Sequence, residues 1–153
     1  MIKILFICHG NICRSPMAQF IMKDLVSKKH LESQFIIDSC ATSSEEIGNG
    51  LYYDAKEILR KHHIPISHHA ARQIRSSDYE DFDYLILMEN YNLYNLKKII
   101  STDPDKKVFR LLDFTENPAD ISDPWYSGDF ETAYQEITTG CTALLNYIEK
   151  KNL

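Results

Sequence analysis

Between an apolar run, Lys3–Ile7, and a helical pattern that opens at Pro16 lies the stretch Cys8-His9-Gly10-Asn11-Ile12-Cys13-Arg14-Ser15-Pro16. The apolar run is too short to span a membrane, which takes about 18 residues. It lacks a small-residue cleavage site and ends in a glycine-containing loop, so it reads as a buried strand and not as a signal peptide. Beyond Pro16, residues Met17, Phe20, Ile21, Met22, Leu25 and Val26 keep a helical period. A strand, a glycine loop and a helix in immediate succession restrict the chain to a small set of α/β architectures.

The rest of the chain repeats the alternation. Phe35–Asp38 reads as a second strand, Tyr84–Met88 as a third and Lys107–Leu111 as a fourth. A polar loop, Ser39–Gly50, precedes a helix over Asp54–His62. Ser77-Asp78-Tyr79-Glu80 fits a capping box opening a short helix, and Asn90–Ile100 reads as another helix. In the last helix, Phe130, Tyr134, Ile137, Cys141, Leu144, Leu145 and Ile148 form one apolar stripe, although Gly140 inside it costs about 1 kcal/mol. The expectation is an α/β fold: a four-stranded parallel sheet with helices on both faces and right-handed crossovers. In such sheets ligands bind beyond the carboxyl ends of the strands.

The loop after the first strand has the residues to hold a tetrahedral oxyanion. Pro16 suits a first helical turn and Ser15 is a good N-cap before it. Gly10 and Asn11 tolerate left-handed backbone, which lets successive N–H groups turn inward above a helix N-terminus. Arg14 adds a planar fork of donors for two phosphate oxygens. Cys8 sits at the rim of that positive end, where its reactive thiolate is favoured and attack on phosphorus would give a phosphocysteine. Cys13, across the same loop, either bridges reversibly to Cys8 and protects it from over-oxidation or packs beneath the loop. No Gly-Lys-Ser/Thr follows, so this is not a nucleotide-binding phosphate loop.

Composition narrows the partners. The 153 residues carry a formal net charge of −5, which gives no global basic field for nucleic acid or anionic membrane. At this length the chain is the size of one domain, expected over 1–153. Four cysteines without an export signal fit a reducing compartment and point to the cytoplasm. His62, His63, His68 and His69 lack a recognised ligand spacing, so no metal is expected. Aryl phosphate hydrolysis also needs a proton donor, for which Asp113, Asp120, Asp123 and Asp129 are all available.

The segment Ile7–Pro16 resembles the phosphate-binding loop of the low-molecular-weight protein tyrosine phosphatases. Further matches follow in family order: Ala41-Thr42-Ser43 with Glu46-Ile47-Gly48-Asn49, His69-Ala70-Ala71-Arg72-Gln73, Asp83-Tyr84 with Met88, and Asp123-Pro124-Trp125-Tyr126. The resemblance implies the same four-stranded fold, no cofactor, and tyrosine-phosphorylated proteins as substrates for what is expected to be a monomer. It implies Cys8 as nucleophile, the loop Cys8, His9, Gly10, Asn11, Ile12, Cys13 and Arg14 as phosphate site, and Asp123 as general acid and then base. Asn11, Ser15, Ser39 and His69 match positions that hold the loop shape. Trp125 and Tyr126 would wall the substrate cleft, unless they simply pack. The cleft positions Glu45 and His9 depart from the family, which commonly has an aromatic and an apolar residue there. Arsenate reduction, on a similar loop, needs a downstream cysteine pair, whereas Cys40 and Cys141 are far apart and read as core. A phosphate-carrying sugar-transport component would have no use for Arg14 or Asp123.

Overall fold

The first apolar run forms β1 (Ile2–Cys8), and its alternate residues enter two different cores. Ile4, Phe6 and Cys8 belong to one, Leu5 and Ile7 to the other. A strand covered on both faces must be apolar throughout, which is why the run shows no polar alternation. The computed structural model describes residues 1–152, so Leu153, the last position of the expected domain, lies outside the described residues.

Parallel partners flank β1 on both sides. The sheet has the order β2-β1-β3-β4, with β2 at Phe35–Ala41, β3 at Tyr84–Leu87 and β4 at Val108–Arg110. This is the expected four-stranded parallel sheet. The helices are α1 (Arg14–Lys28), α2 (Tyr53–Lys61), α3 (Asp78–Asp81), α4 (Asn90–Leu96), α5 (Pro124–Ser127) and α6 (Phe130–Asn152). Residues of α1 and α6 share the Ile4–Phe6 core, and Tyr79 of α3 and Leu96 of α4 share the other. The chain leaves β1 toward β2, then crosses to β3 on the opposite side. The connection therefore reverses direction at β1, and the crevice falls at the end of that strand, at Cys8.

Several boundaries differ from the sequence reading for identifiable reasons. β2 runs on through Ser39, Cys40 and Ala41, so the polar loop is shorter than expected. The expected long helix from Asn90 closes at Leu96, and the fourth strand gives way to a 3-10 turn at Leu111–Phe114. Ser77 does not cap α3; Asp78 instead accepts the Arg75 N–H at 2.8 Å and pairs with Arg72, so its carboxylate shapes that turn.

Gly140 is explained by α6 packing. A Cβ built there would lie 2.5 Å from Leu111 Cγ, so glycine admits a close approach between α6 and the turn that follows β4. The helix propensity lost at Gly140 is the cost of that contact. In Gly140→Ala an overpacking cost of about 1–3 kcal/mol is partly offset by a propensity gain of roughly 1 kcal/mol, so a net destabilisation of up to about 2 kcal/mol is expected. Urea denaturation of the two proteins measures the difference.

Candidate active site

Cys8 closes β1 and Arg14 opens α1, so the intervening loop is held at both ends by regular structure. The helix starts two residues earlier than expected. Cys13 occupies the N-cap position without a side-chain cap, and Ser15 lies inside the first turn. Ser15 is therefore not a cap: its hydroxyl accepts from Asn11 Nδ2 at 2.8 Å and lies 3.0 Å from Cys8 Sγ and 3.3 Å from the Cys40 carbonyl. The left-handed residue of the loop is Asn11, with φ 62°, and Gly10 is not left-handed.

Asn11 is completely buried and every polar atom of its side chain is used. Its Nδ2 also donates to Ser39 Oγ at 3.0 Å, and its Oδ1 accepts from the Arg72 amide at 3.2 Å. Its carbonyl oxygen lies 2.7 Å from His69 Nε2, so the hydrogen of that ring sits on Nε2. Ser39 in turn donates to Gln19 Oε1 at 2.5 Å. The four expected support residues, Asn11, Ser15, Ser39 and His69, thus form one network, to which the structure adds Gln19 and Arg72. Gln19 looks like any polar residue on a helix, and Arg72, although it lies in the matched segment His69–Gln73, had no role assigned because it reaches Asn11 through its backbone.

The loop carbonyls point outward. Thr42 N–H donates to Cys8 O at 2.9 Å, Ser43 N–H to His9 O at 3.1 Å and Tyr52 N–H to Ile12 O at 2.9 Å. Asn11 N–H donates to Cys8 Sγ at 3.3 Å. The amides of Gly10, Ile12, Cys13 and Arg14 have no hydrogen-bond partner among the described residues. A ring of unpaired N–H groups at a helix start is an anion site by its own polarity.

Arg14 is only 3% exposed, yet stays charged. Burial works against its positive charge, but the charge of Cys8, the hydrogen bond Arg14 donates to Glu89 and the charge of Asp123 outweigh it and raise its proton affinity. Its Nη1 donates to Glu89 Oε2 at 2.6 Å and to the Ile121 carbonyl at 3.0 Å; Nη2 lies 3.4 Å from Asp123 Oδ2. Glu89 was not anticipated from the sequence. It follows β3, and Asn92 fixes that turn by accepting the Met88 and Glu89 N–H groups on Oδ1 at 3.0 and 2.9 Å.

The four candidate aspartates are separated by their contacts. Asp113 accepts from Arg110, Asp120 joins Arg110 to the Asn90 amide, and Asp129 receives the backbone and hydroxyl of Thr132. Asp123 alone of the four lines the cleft that contains Cys8 and Arg14. It is the N-cap of α5, accepting the Trp125 N–H on Oδ1 at 3.1 Å, with Pro124 in the first helical position.

That cleft measures about 440 Å³ and is also bordered by His9, Glu45, Trp125 and Tyr126, all of which were expected there, and by Tyr91, which was not. Trp125 does both things its residue type allows. It borders the cleft and meets Tyr52 edge-on at 5.0 Å, while Tyr126 is 87% exposed. A smaller depression of about 240 Å³, between α1 and Pro65–Ser67, is lined by no cysteine and no arginine. The two loop cysteines differ. Burial, then the charge of Cys8, pushes the Cys13 thiol up to about 12, so Cys13 stays protonated at neutral pH. All four cysteines are unbridged, and Cys40 and Cys141 are completely buried. The histidines diverge, His62 stacking on Tyr134 while His69 turns to the loop, and no group of three or more possible ligands gathers among the described residues.

Comparison with known proteins settles the lineage. The family model described as low molecular weight phosphotyrosine protein phosphatase matches residues 3–153. The chain belongs to this family. It is 42% identical over 153 residues to the low molecular weight protein-tyrosine-phosphatase YfkJ of Bacillus subtilis, covering 99% of this chain and 98% of that one. The human low molecular weight phosphotyrosine protein phosphatase is 36% identical over 159 residues, covering 94% and 93%. The crystal structure of YfkJ superposes with a TM-score of 0.96 over 100% of this chain and 98% of that one. A protein tyrosine phosphatase from Entamoeba histolytica, 30% identical, gives 0.89 over the whole of both chains.

His69 gives the site a pH signature. Burial lowers its proton affinity below the ordinary value of 6.5, and the bond to Asn11 only partly opposes this. A histidine depressed in the folded state favours folding above the unfolded value. That contribution is lost progressively as pH falls below 6.5 toward the depressed folded value. In an NMR titration the His69 ring is expected to show a midpoint below 6.5.

Proposed function

We propose that this protein hydrolyses phosphotyrosine in proteins, and small aryl phosphates, through a phosphocysteine on Cys8. The observation that carries the reading is one cleft holding Cys8, a ring of unpaired amides, Arg14 and Asp123. Its family relatives are named protein tyrosine phosphatases, and the Entamoeba structure holds Hepes, a sulfonate buffer, in its active site.

The loop amides and the Nη2 edge of Arg14 receive the phosphate, and Cys8 Sγ attacks phosphorus as its thiolate. The hydroxyl of Ser15 and the Asn11 amide are placed to donate to that sulfur. The bond from phosphorus to the tyrosine oxygen breaks as Asp123 delivers its proton to that oxygen. Phosphate binding competes with Asp123 for Arg14, which releases the carboxyl toward the leaving oxygen. Water then attacks the phosphocysteine, Asp123 accepts its proton, the S–P bond breaks, and thiolate and inorganic phosphate result. Trp125 and Tyr126 flank the substrate ring. Asn11, Ser15, Ser39 and His69 hold the loop.

No helix among the described residues is long and apolar enough to cross a membrane. Four unbridged cysteines support a reducing compartment such as the cytoplasm, and the net charge of −5 argues against nucleic acid as a partner. We take residues 1–153 as a single phosphatase domain working as a monomer without cofactor.

Cys8→Ser is expected to abolish turnover while phosphate still binds, because a serine hydroxyl here has no general base to ionise it. Phosphate binding by calorimetry and turnover of p-nitrophenyl phosphate test both halves; a variant keeping more than a few per cent of the rate removes Cys8 as nucleophile. Asp123→Asn should slow phosphotyrosine cleavage by roughly 10²–10⁴. The loss should be distinctly smaller in the initial burst with good leaving groups, since only a phenolate whose conjugate acid has a pKa of about 10 needs the proton. Asp120→Asn, altered outside the cleft, should show no such leaving-group dependence.

A further inference from the structure

Charge is segregated within the cleft. Four carboxylates line it, those of Glu45, Glu46, Glu89 and Asp123, against Arg14 and His9. Glu89 and Asp123 both contact Arg14 at the floor, so their charge is largely met there. Glu45 and Glu46 come from the loop that follows β2 and are not met in this way. Glu45 is 67% exposed on its side chain and touches His9 Nε2 at 2.8 Å through one oxygen, Oε2. Glu46 accepts from the neutral Asn49 amide at 2.8 Å, also through Oε2. The Oε1 atom of each has no partner among the described residues.

The loop that carries these carboxylates is tied down through its backbone. Ser43 is tied to the His9 carbonyl by both its amide and its hydroxyl, at 3.1 and 2.9 Å. Asn49 N–H donates to Glu46 O at 2.9 Å, and Gly48 N–H to Ala71 O at 2.8 Å. Glu46 also sits directly over the phosphate-binding loop, since a Cβ placed on Gly10 would lie 3.5 Å from Glu46 Cγ. A phosphate entering the floor therefore passes a rim of held negative charge, and the substrate residues beside it stay at that rim.

We propose that Glu45 and Glu46 select phosphotyrosines flanked by a basic residue and disfavour those flanked by acidic ones. This inference rests on the phosphotyrosine phosphatase reading above. A flanking arginine or lysine finds an open carboxylate oxygen on each side chain, and arginine can fork across one carboxylate. A flanking glutamate meets two like charges with only His9 to offset them. Each exposed pairing is modest and screened by salt, so together they amount to a preference of about three- to tenfold.

The test compares kcat/KM for phosphotyrosine peptides identical except for arginine, glutamine or glutamate beside the phosphotyrosine, with free phosphotyrosine as reference. In the wild type the arginine peptide is expected to exceed the glutamate peptide about three- to tenfold at low ionic strength, with the gap closing at high salt. Glu45→Gln and Glu46→Gln should each narrow the ratio, and Glu45→Lys should reverse it. Both side chains reach solvent, and circular dichroism confirms that the variants fold. A flat ratio in the wild type, or a ratio unchanged by all three substitutions, overturns the inference alone. Failure to cleave either the peptides or free phosphotyrosine overturns the phosphatase reading, and this inference with it.

Discussion

The site depends on one residue held in an unfavourable backbone conformation. Left-handed geometry costs an ordinary L-residue about 1–2 kcal/mol, and Asn11 adopts it with no exposure to water. Its amide, carbonyl and both side-chain polar atoms are each bonded, and a buried hydrogen bond contributes about 1 kcal/mol on average. The balance favours the strained turn only while its partners, drawn from β2, α1 and the segment at 69–72, stay in place. That turn sends the carbonyls out and the amides in. The anion site is in this sense a property of the whole sheet end.

The charges around Arg14 are sorted by distance. Glu89 is the short contact at 2.6 Å and Asp123 the long one at 3.4 Å, although both are carboxylates on the same guanidinium. Glu89 is fixed by the turn between β3 and α4, where Asn92 binds the preceding amides. Asp123 sits at the cap of a helix of only four residues. In the proposed reaction this difference separates a permanent counter-ion from a carboxylate free to exchange a proton.

Much of this was legible in the sequence because the informative residues are close together in the chain. The strand before Cys8, the loop and the helix after it lie within one local stretch, and periodicity reports both elements. The error at Ser15 has a clear cause. Serine before proline is the usual cap signature, but here the hydroxyl is needed by Asn11 and Cys8, so the helix begins without a side-chain cap. Gly10 and Asn11 were both read as able to turn left-handed; glycine is the freer residue, yet Asn11 is the one that turns, because it has the side-chain partners that fix it. Glu89 was not legible because it is brought to the site by long-range packing that leaves no local pattern, and Gln19 and Arg72 had no role assigned because their contacts to Ser39 and Asn11 are made only in the fold. Among the four aspartates, residue type alone made them equal; the resemblance at Asp123-Pro124-Trp125-Tyr126 singled out Asp123, and in the fold Arg110 and Thr132 hold the other three away from the cleft.

The guanidinium of Arg14 has two functional edges. One is pinned by Glu89 and the Ile121 carbonyl and acts as a strut between α1, the end of β3 and the segment before α5. The other is turned to the cleft. Lysine offers a single ammonium on a flexible stem, so it can brace the crevice or meet an anion, but it cannot present two rigidly related faces at once. Replacing this residue by the other common cation would thus force a choice between architecture and ligand. The requirement at this position is for planarity as much as for positive charge.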